Sequence, residues 1–171
     1  VDLDKDGTSD IYQDDIKCVN TVIGDTQMGI KTSTIGASIA SLKSIDPNIY
    51  PVTEDKPDDM PFGLFTFTIN VDTPGGEARA TAYFSEAVPE GAKWIKYNQL
   101  NGWTDYSEYA TFSADRKSVT FTVRDGGLGD ADFVENKVIV DPAGAGVYAS
   151  KNETGGGGGC FIATVGNGDA F

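Results

Sequence analysis

The chain has 171 residues, with 26 Asp and Glu against 13 Lys and Arg, a formal net charge of -13 and no histidine. A field of that sign repels nucleic acid and anionic membrane and attracts cations, so no nucleic-acid partner is expected. The missing histidine removes His-based triads and most zinc, copper and non-haem iron sites, and leaves the oxygen-ligand chemistry of calcium or magnesium. No nucleophile–base set stands out, so the chain is not expected to be an enzyme. No apolar run approaches the roughly 20 residues of a membrane helix, and none is expected. Val1 leads straight into acidic residues rather than a signal peptide, so an exported protein is expected here in processed form.

In chain order, residues 1–16 form an Asp-rich loop, 17–150 the body of a single domain and 151–171 a Gly-rich tail. Carboxylates stand at the first, third, fifth and ninth places of the loop, as Asp2, Asp4, Asp6 and Asp10, with Gly7 at the sixth. That spacing wraps oxygens round one Ca²⁺: alternate side chains point inward, Gly7 permits the turn, and Thr8 offers a backbone carbonyl. Gln13 holds the twelfth place, where an acid is usual, so Asp14 or its neighbour Asp15 is expected to supply the last ligand. The loop resembles a single thrombospondin type 3 or dockerin-like calcium repeat, and one such repeat implies a staple between the N-terminus and the domain.

Residues 17–50 alternate short apolar and polar stretches, and within them 35–45 suits a short helix or a strand. A Pro- and Asp-rich connection follows over 51–61, with Pro51, Pro57 and Pro61. Period-2 runs then dominate. Phe65, Phe67, Ile69 and Val71 alternate with polar residues, as do Ala78, Ala80, Ala82 and Phe84, then Val119, Phe121 and Val123; Val138 and Val140 continue the pattern. Turns at Pro74-Gly75-Gly76, Pro89-Glu90-Gly91, Asn101-Gly102 and Asp125-Gly126-Gly127 separate them. Many short strands with Gly/Pro turns predict an all-β, antiparallel two-layer sandwich, Ig-like or jelly-roll-like. Asp125, Asp130, Asp132 and Asp141 lie on or near one Gly-rich segment. They read either as a second Ca²⁺ site or as a turn whose side chains cap their own backbone.

The motifs also have a recognisable order. Asp10-Ile11-Tyr12-Gln13-Asp14 follows the loop, then Pro61-Phe62-Gly63-Leu64-Phe65-Thr66-Phe67 and Pro74-Gly75-Gly76. Trp94-Ile95-Lys96-Tyr97 precedes Gly102-Trp103-Thr104-Asp105-Tyr106, and Phe112-Ser113-Ala114-Asp115 precedes Val119-Thr120-Phe121-Thr122. The run closes with Asp125 to Asp132 and Val138-Ile139-Val140-Asp141-Pro142. Over about residues 1–145 this is similar to the choice-of-anchor U domain of bacterial surface proteins. The resemblance implies an exported protein, held at the bacterial cell surface by one of several interchangeable C-terminal anchors, with no enzymatic activity. It also implies glycines where this chain has Phe133 and Lys137. Gly155 to Gly159, followed by Cys160-Phe161-Ile162-Ala163-Thr164, resembles a separate bacterial tail motif that often precedes an anchoring segment; Val165-Gly166-Asn167-Gly168 departs from it.

Cys160, Phe161, Ile162, Ala163, Thr164 and Val165 read as a strand expected to add to a sheet edge of this domain or of a second copy, giving a homo-oligomer or homopolymer. An even cysteine count in an exported chain favours a Cys18–Cys160 disulfide, with an intermolecular bond or a modified Cys160 as alternatives. Trp94, Tyr97, Trp103, Tyr106 and Tyr109 are close in sequence. Packing is the plainer reading of these rings; sugar stacking on Trp94, Trp103 and Tyr106, with a glycan as partner, is the alternative. The expected role is an extracellular, calcium-stabilised structural or surface module that assembles into a filament or layer.

Overall fold

In a computed structural model, the structure describes residues 1–149. Ten strands form two five-stranded antiparallel sheets packed as a sandwich. They are β1 (Ile16–Asn20), β2 (Gln27–Thr32), β3 (Ser38–Ile45), β4 (Leu64–Asn70), β5 (Glu77–Phe84), β6 (Lys93–Asn98), β7 (Gly102–Asp105), β8 (Ala110–Phe112), β9 (Ser118–Arg124) and β10 (Val138–Gly146). The first sheet runs β1-β2-β5-β9-β8 and the second β3-β4-β10-β6-β7. Hairpins β1–β2, β3–β4, β6–β7 and β8–β9 stay within a sheet, while the connection between each pair crosses to the other layer or returns from it. The ambiguous segment 35–45 is strand β3, with a bulge between Ile39 and Ser41.

The alternation along β4, β5 and β9 sets the core. Phe65, Phe67, Ile69, Ala78, Ala80, Ala82, Phe84, Val119, Phe121 and Val123 all point between the sheets and are buried. The β5 alanines share this core with the phenylalanines of β4 and β9, so small and large side chains fill the interior together. β10 departs from the expected phase. Ile139, Asp141, Ala143 and Ala145 are the fully buried residues, whereas Val138 and Val140 lie on the opposite face and are only partly covered. A one-residue change of phase moves a whole strand face, and here it places a carboxylate in the core.

The 51–61 connection covers the outer face of the second sheet, where Met60, Leu64, Ile95 and Trp103 form a separate apolar cluster with Tyr50 and Tyr97 beside it. The Trp103 indole N–H donates to the Pro51 carbonyl (3.1 Å). The N-terminal loop rests in turn on the outer face of the first sheet. Buried Leu3 meets Ile16 above Gly29, where a Cβ would lie 3.1 Å from the Leu3 and Ile16 methyl carbons and 3.0 Å from Cys18 Sγ. A larger residue at 29 would lift the loop off the sheet.

Candidate metal site

The loop is folded back on itself by its own amides. Gly7 N–H donates to Asp2 (3.1 Å) and Thr8 N–H to Asp6 (2.9 Å); Leu3 N–H reaches both Asp10 carboxylate oxygens (3.1 Å each). Asp10 is buried, and its own N–H donates to the Val1 carbonyl (2.9 Å), which closes the loop. Gly7 takes φ 95°, a conformation that costs a β-carbon-bearing residue. These contacts bring one carboxylate oxygen each from Asp2, Asp4 and Asp10 within 4.8 Å of one another. Three like charges at that separation repel unless a cation stands between them.

Two further observations bear on the fit. Gln13 Oε1 is buried and accepts no hydrogen bond, while its Nε2 donates to Asp6. An amide oxygen is a hard ligand suited to Ca²⁺, so Gln13 itself, at the twelfth place, can supply the last ligand. Asp14, expected as the last ligand, is exposed and lies outside the converging trio. Asp6 also stands outside the trio. The Thr8 amide, with smaller help from Gln13 and Lys31, holds its carboxyl below the usual range. Lys31 on β2 bonds Asp15 (2.7 Å) and Asp4 (2.9 Å), and those two carboxylates raise its ammonium above the ordinary lysine range. It neutralises part of the loop and ties it to the first sheet. Lys5, through Asp115 (2.8 Å), ties it to the β8–β9 turn. The residues that converge are thus Asp2, Asp4 and Asp10, a set that could hold a metal ion.

The second acidic segment is organised differently. Asp125 is fully buried and accepts from four backbone amides: Gly75 (2.8 Å), Lys137 (2.9 Å), Asn136 (3.2 Å) and Val138 (3.2 Å). Burial would raise its carboxyl, but these bonds outweigh it and hold the group below the usual range. Asp130, also buried, accepts from Gly126 (2.8 Å) and Val140 (3.0 Å); Asp132 is exposed and caps Val134 N–H (2.8 Å). Asp141 faces Lys96. Asp125 and Asp130 are engaged by backbone amides and the four carboxylates do not converge, so the segment follows the turn-capping reading rather than forming a second cation cage. Phe133 and Lys137, where the resemblance implies glycine, take left-handed φ of 57° and 71°, as Lys5 and Arg116 do elsewhere.

The rings weighed for sugar stacking are interior. Trp94 is fully buried and stacks on Phe121 (centroids 5.3 Å apart); Trp103 and Tyr106 are 2% and 3% exposed. Tyr106 donates to the Thr122 (2.8 Å) and Leu128 (3.1 Å) carbonyls. Stacking on a sugar needs a free ring face, so these residues pack and do not serve as a glycan platform. Cys18 Sγ donates to Asp10 (3.3 Å); loss of hydration at the sulfur and the Asp10 carboxylate push the thiol up to about 12. A thiol of that kind is a poor nucleophile. Its expected partner Cys160, and the whole expected strand 160–165, lie outside the described residues. Among the described residues no helix is long and apolar enough to cross a membrane.

No protein-family model, curated protein or solved structure matches the chain. The likeness to choice-of-anchor U domains thus rests on the order of motifs in the sequence.

Proposed function

We propose that this chain is a non-enzymatic structural module of the bacterial cell surface, whose N-terminal loop binds Ca²⁺ and is stapled by it to the first sheet. The observation that carries the reading is the convergence of Asp2, Asp4 and Asp10; the Gln13 side-chain oxygen in the same loop is buried and accepts no hydrogen bond. The loop already contacts β2 through Lys31 and the β8–β9 turn through Lys5. An ion that fixes the loop therefore stabilises the sandwich as well. The surface role rests on the order of motifs described above. Assembly through residues 160–165 belongs to the same proposal. Among the edge strands, β3 has eight residues and is long enough to pair along that whole segment, whereas β1, β7 and β8 have five, four and three.

Calorimetric titration of the full chain with CaCl₂, alongside thermal unfolding in Ca²⁺, Mg²⁺ and EDTA, tests the site. One Ca²⁺ per chain and a higher melting temperature in Ca²⁺ than in EDTA are expected. Absence of binding heat in millimolar Ca²⁺, together with identical melting in EDTA, would overturn the reading. Negative-stain microscopy of the full chain and of a chain lacking 155–171 tests assembly: filaments or layers are expected only with the tail present.

A further inference from the structure

Lys96 and Asp141 are charged residues in the sandwich interior. Lys96 lies on β6 on the same side as the core residue Trp94, and Asp141 lies on β10 between the core residues Ile139 and Ala143. The two strands are adjacent, with Lys96 opposite Ala143, so Asp141 is the diagonal neighbour on the same inward face. Lys96 Nζ is in direct contact with Asp141 Oδ2. Both side chains are almost wholly buried, 6% and 1% exposed. Asp141 Oδ1 is buried and accepts no hydrogen bond.

The surroundings press the pair together. The Tyr106 ring centroid stands 4.0 Å from Lys96 Nζ and the Phe121 ring 5.5 Å. The Gly129 carbonyl accepts from Nζ at 3.2 Å. Gly129 has φ 100°, and a Cβ there would lie 2.9 Å from Nζ and 2.7 Å from the Tyr106 hydroxyl, so only glycine lets the loop close over the lysine. Asp130 faces the same place but is engaged by the Gly126 and Val140 amides, which leaves Lys96 and Asp141 to exchange a proton between themselves. Beside them is a cavity of about 30 Å³ lined in part by Lys96, Tyr106, Asp130 and Asp141, enough to hold a water.

The geometry points to a covalent amide between Lys96 Nζ and Asp141 Cγ, formed within the folded chain with loss of one water. The step is balanced by the pair alone. The ammonium passes one proton to Oδ2, which leaves a neutral amine against a neutral carboxyl. The nitrogen lone pair attacks Cγ, and the C=O π pair moves to Oδ1. A second proton passes from nitrogen to Oδ2, the Cγ–Oδ2 bond breaks, and Oδ2 departs as water while the carbonyl re-forms at Oδ1. One hydrogen remains on the amide nitrogen. No oxidant, reductant or activating nucleotide enters.

Three physical effects favour the bond over an ion pair. A buried lysine and aspartate each lose hydration as ions, and replacing them by a neutral amide removes that penalty. Burial accordingly lowers the Lys96 ammonium and raises the Asp141 carboxyl, to about 6, so both are pressed toward the neutral forms that react. Two reactive groups fixed in contact by strand pairing are also equivalent to a very high local concentration. The bond would close residues 97–140, which include β7, β8 and β9, into a ring. A pull applied at the two ends of the chain would then pass from β6 to β10 directly and leave that segment unstretched. The inference is independent of the Ca²⁺ reading.

Mass spectrometry of the purified full chain, denatured and with cysteines reduced, tests it. The expected mass is below the sequence mass by one water. Trypsin should leave Lys96 uncut and yield residues 94–116 joined to 138–151. The variants Lys96→Met and Asp141→Leu, and the apolar pair of both, should restore the full sequence mass. A wild-type chain of full sequence mass with Lys96 cleaved by trypsin would overturn the proposal. So would a missing water located at Asp6-Gly7 or Asp125-Gly126, where succinimides form. The wild-type measurement decides the matter even where a variant fails to fold.

Discussion

The two acidic regions of the molecule look alike in sequence and behave oppositely in the fold. At the N-terminus, carboxylates from Asp2, Asp4 and Asp10 turn toward one another near the surface. Between 125 and 141, Asp125, Asp130 and Asp141 are buried, and each turns toward a donor of its own, either backbone amides or Lys96. A dense run of aspartates therefore does not by itself mean a cation site. The difference lies in the arrangement: in the loop the carboxylates converge although amides and Lys31 also donate to them, whereas in the second segment each carboxylate is held apart by donors of its own. Only the first arrangement brings carboxylates close enough together that they could hold a metal ion; the second holds a loop in shape.

The strongest way to break the contrast is to remove Asp125. Asp125→Ala leaves four amides facing a void, and a loss of about 3 kcal/mol or more is expected in urea unfolding. A loss below about 1 kcal/mol would mean that the carboxylate does not organise the turn. The sign with pH follows from its lowered folded value. Its stabilisation is fully present above the unfolded Asp value of about 3.9 and is lost as pH falls through the lower folded one. Between neutrality and about pH 4 this carboxylate contributes a constant amount; below that, wild type should lose stability more steeply than Asp125→Asn.

The N-terminal region is sharpened by the opposite kind of variant. Asp2 is exposed, so Asp2→Asn should change stability in EDTA by less than about 0.5 kcal/mol. In Ca²⁺ the variant should lose the stabilisation gained by wild type, which is about 2.7 kcal/mol when the ion stands at 100 times its dissociation constant. Paired melts of both proteins in Ca²⁺ and EDTA measure this. An equal Ca²⁺ increment in the two would remove Asp2 from the site.

The layers of the fold were legible because Phe65, Phe67 and Ile69, like Val119, Phe121 and Val123, alternate with polar residues on strands that face the interior. β10 was misread by one residue. Its inward face carries Asp141 and small alanines, and no hydropathy pattern marks a carboxylate as a core residue when its partner Lys96 is 45 positions away. Packing was the plainer reading of Trp103 from the sequence, but its cover was not legible, because that cover is the irregular 51–61 connection rather than a strand. In the loop, the spacing made the approach of Asp2, Asp4 and Asp10 legible, while Asp6 stands outside that cluster.

The smallest effect expected concerns the turn that Asp125 organises. Lys137 is exposed at φ 71°, yet its N–H donates to Asp125 and its carbonyl accepts from Val71 N–H (3.0 Å). Lys137→Gly keeps both bonds and removes a left-handed penalty of about 1 kcal/mol, offset in part by the greater freedom of glycine in the unfolded chain. A net gain of about 0.5 kcal/mol is expected in urea unfolding. Phe133→Gly, at φ 57°, should gain nothing, because that ring is partly buried and its packing is lost along with the strain. If Asp125 imposes the bend, the two sites are coupled and the Lys137→Gly gain should shrink in the Asp125→Ala background. An unchanged gain there would mean that the strain at 137 is set by the chain on either side of it and not by the carboxylate.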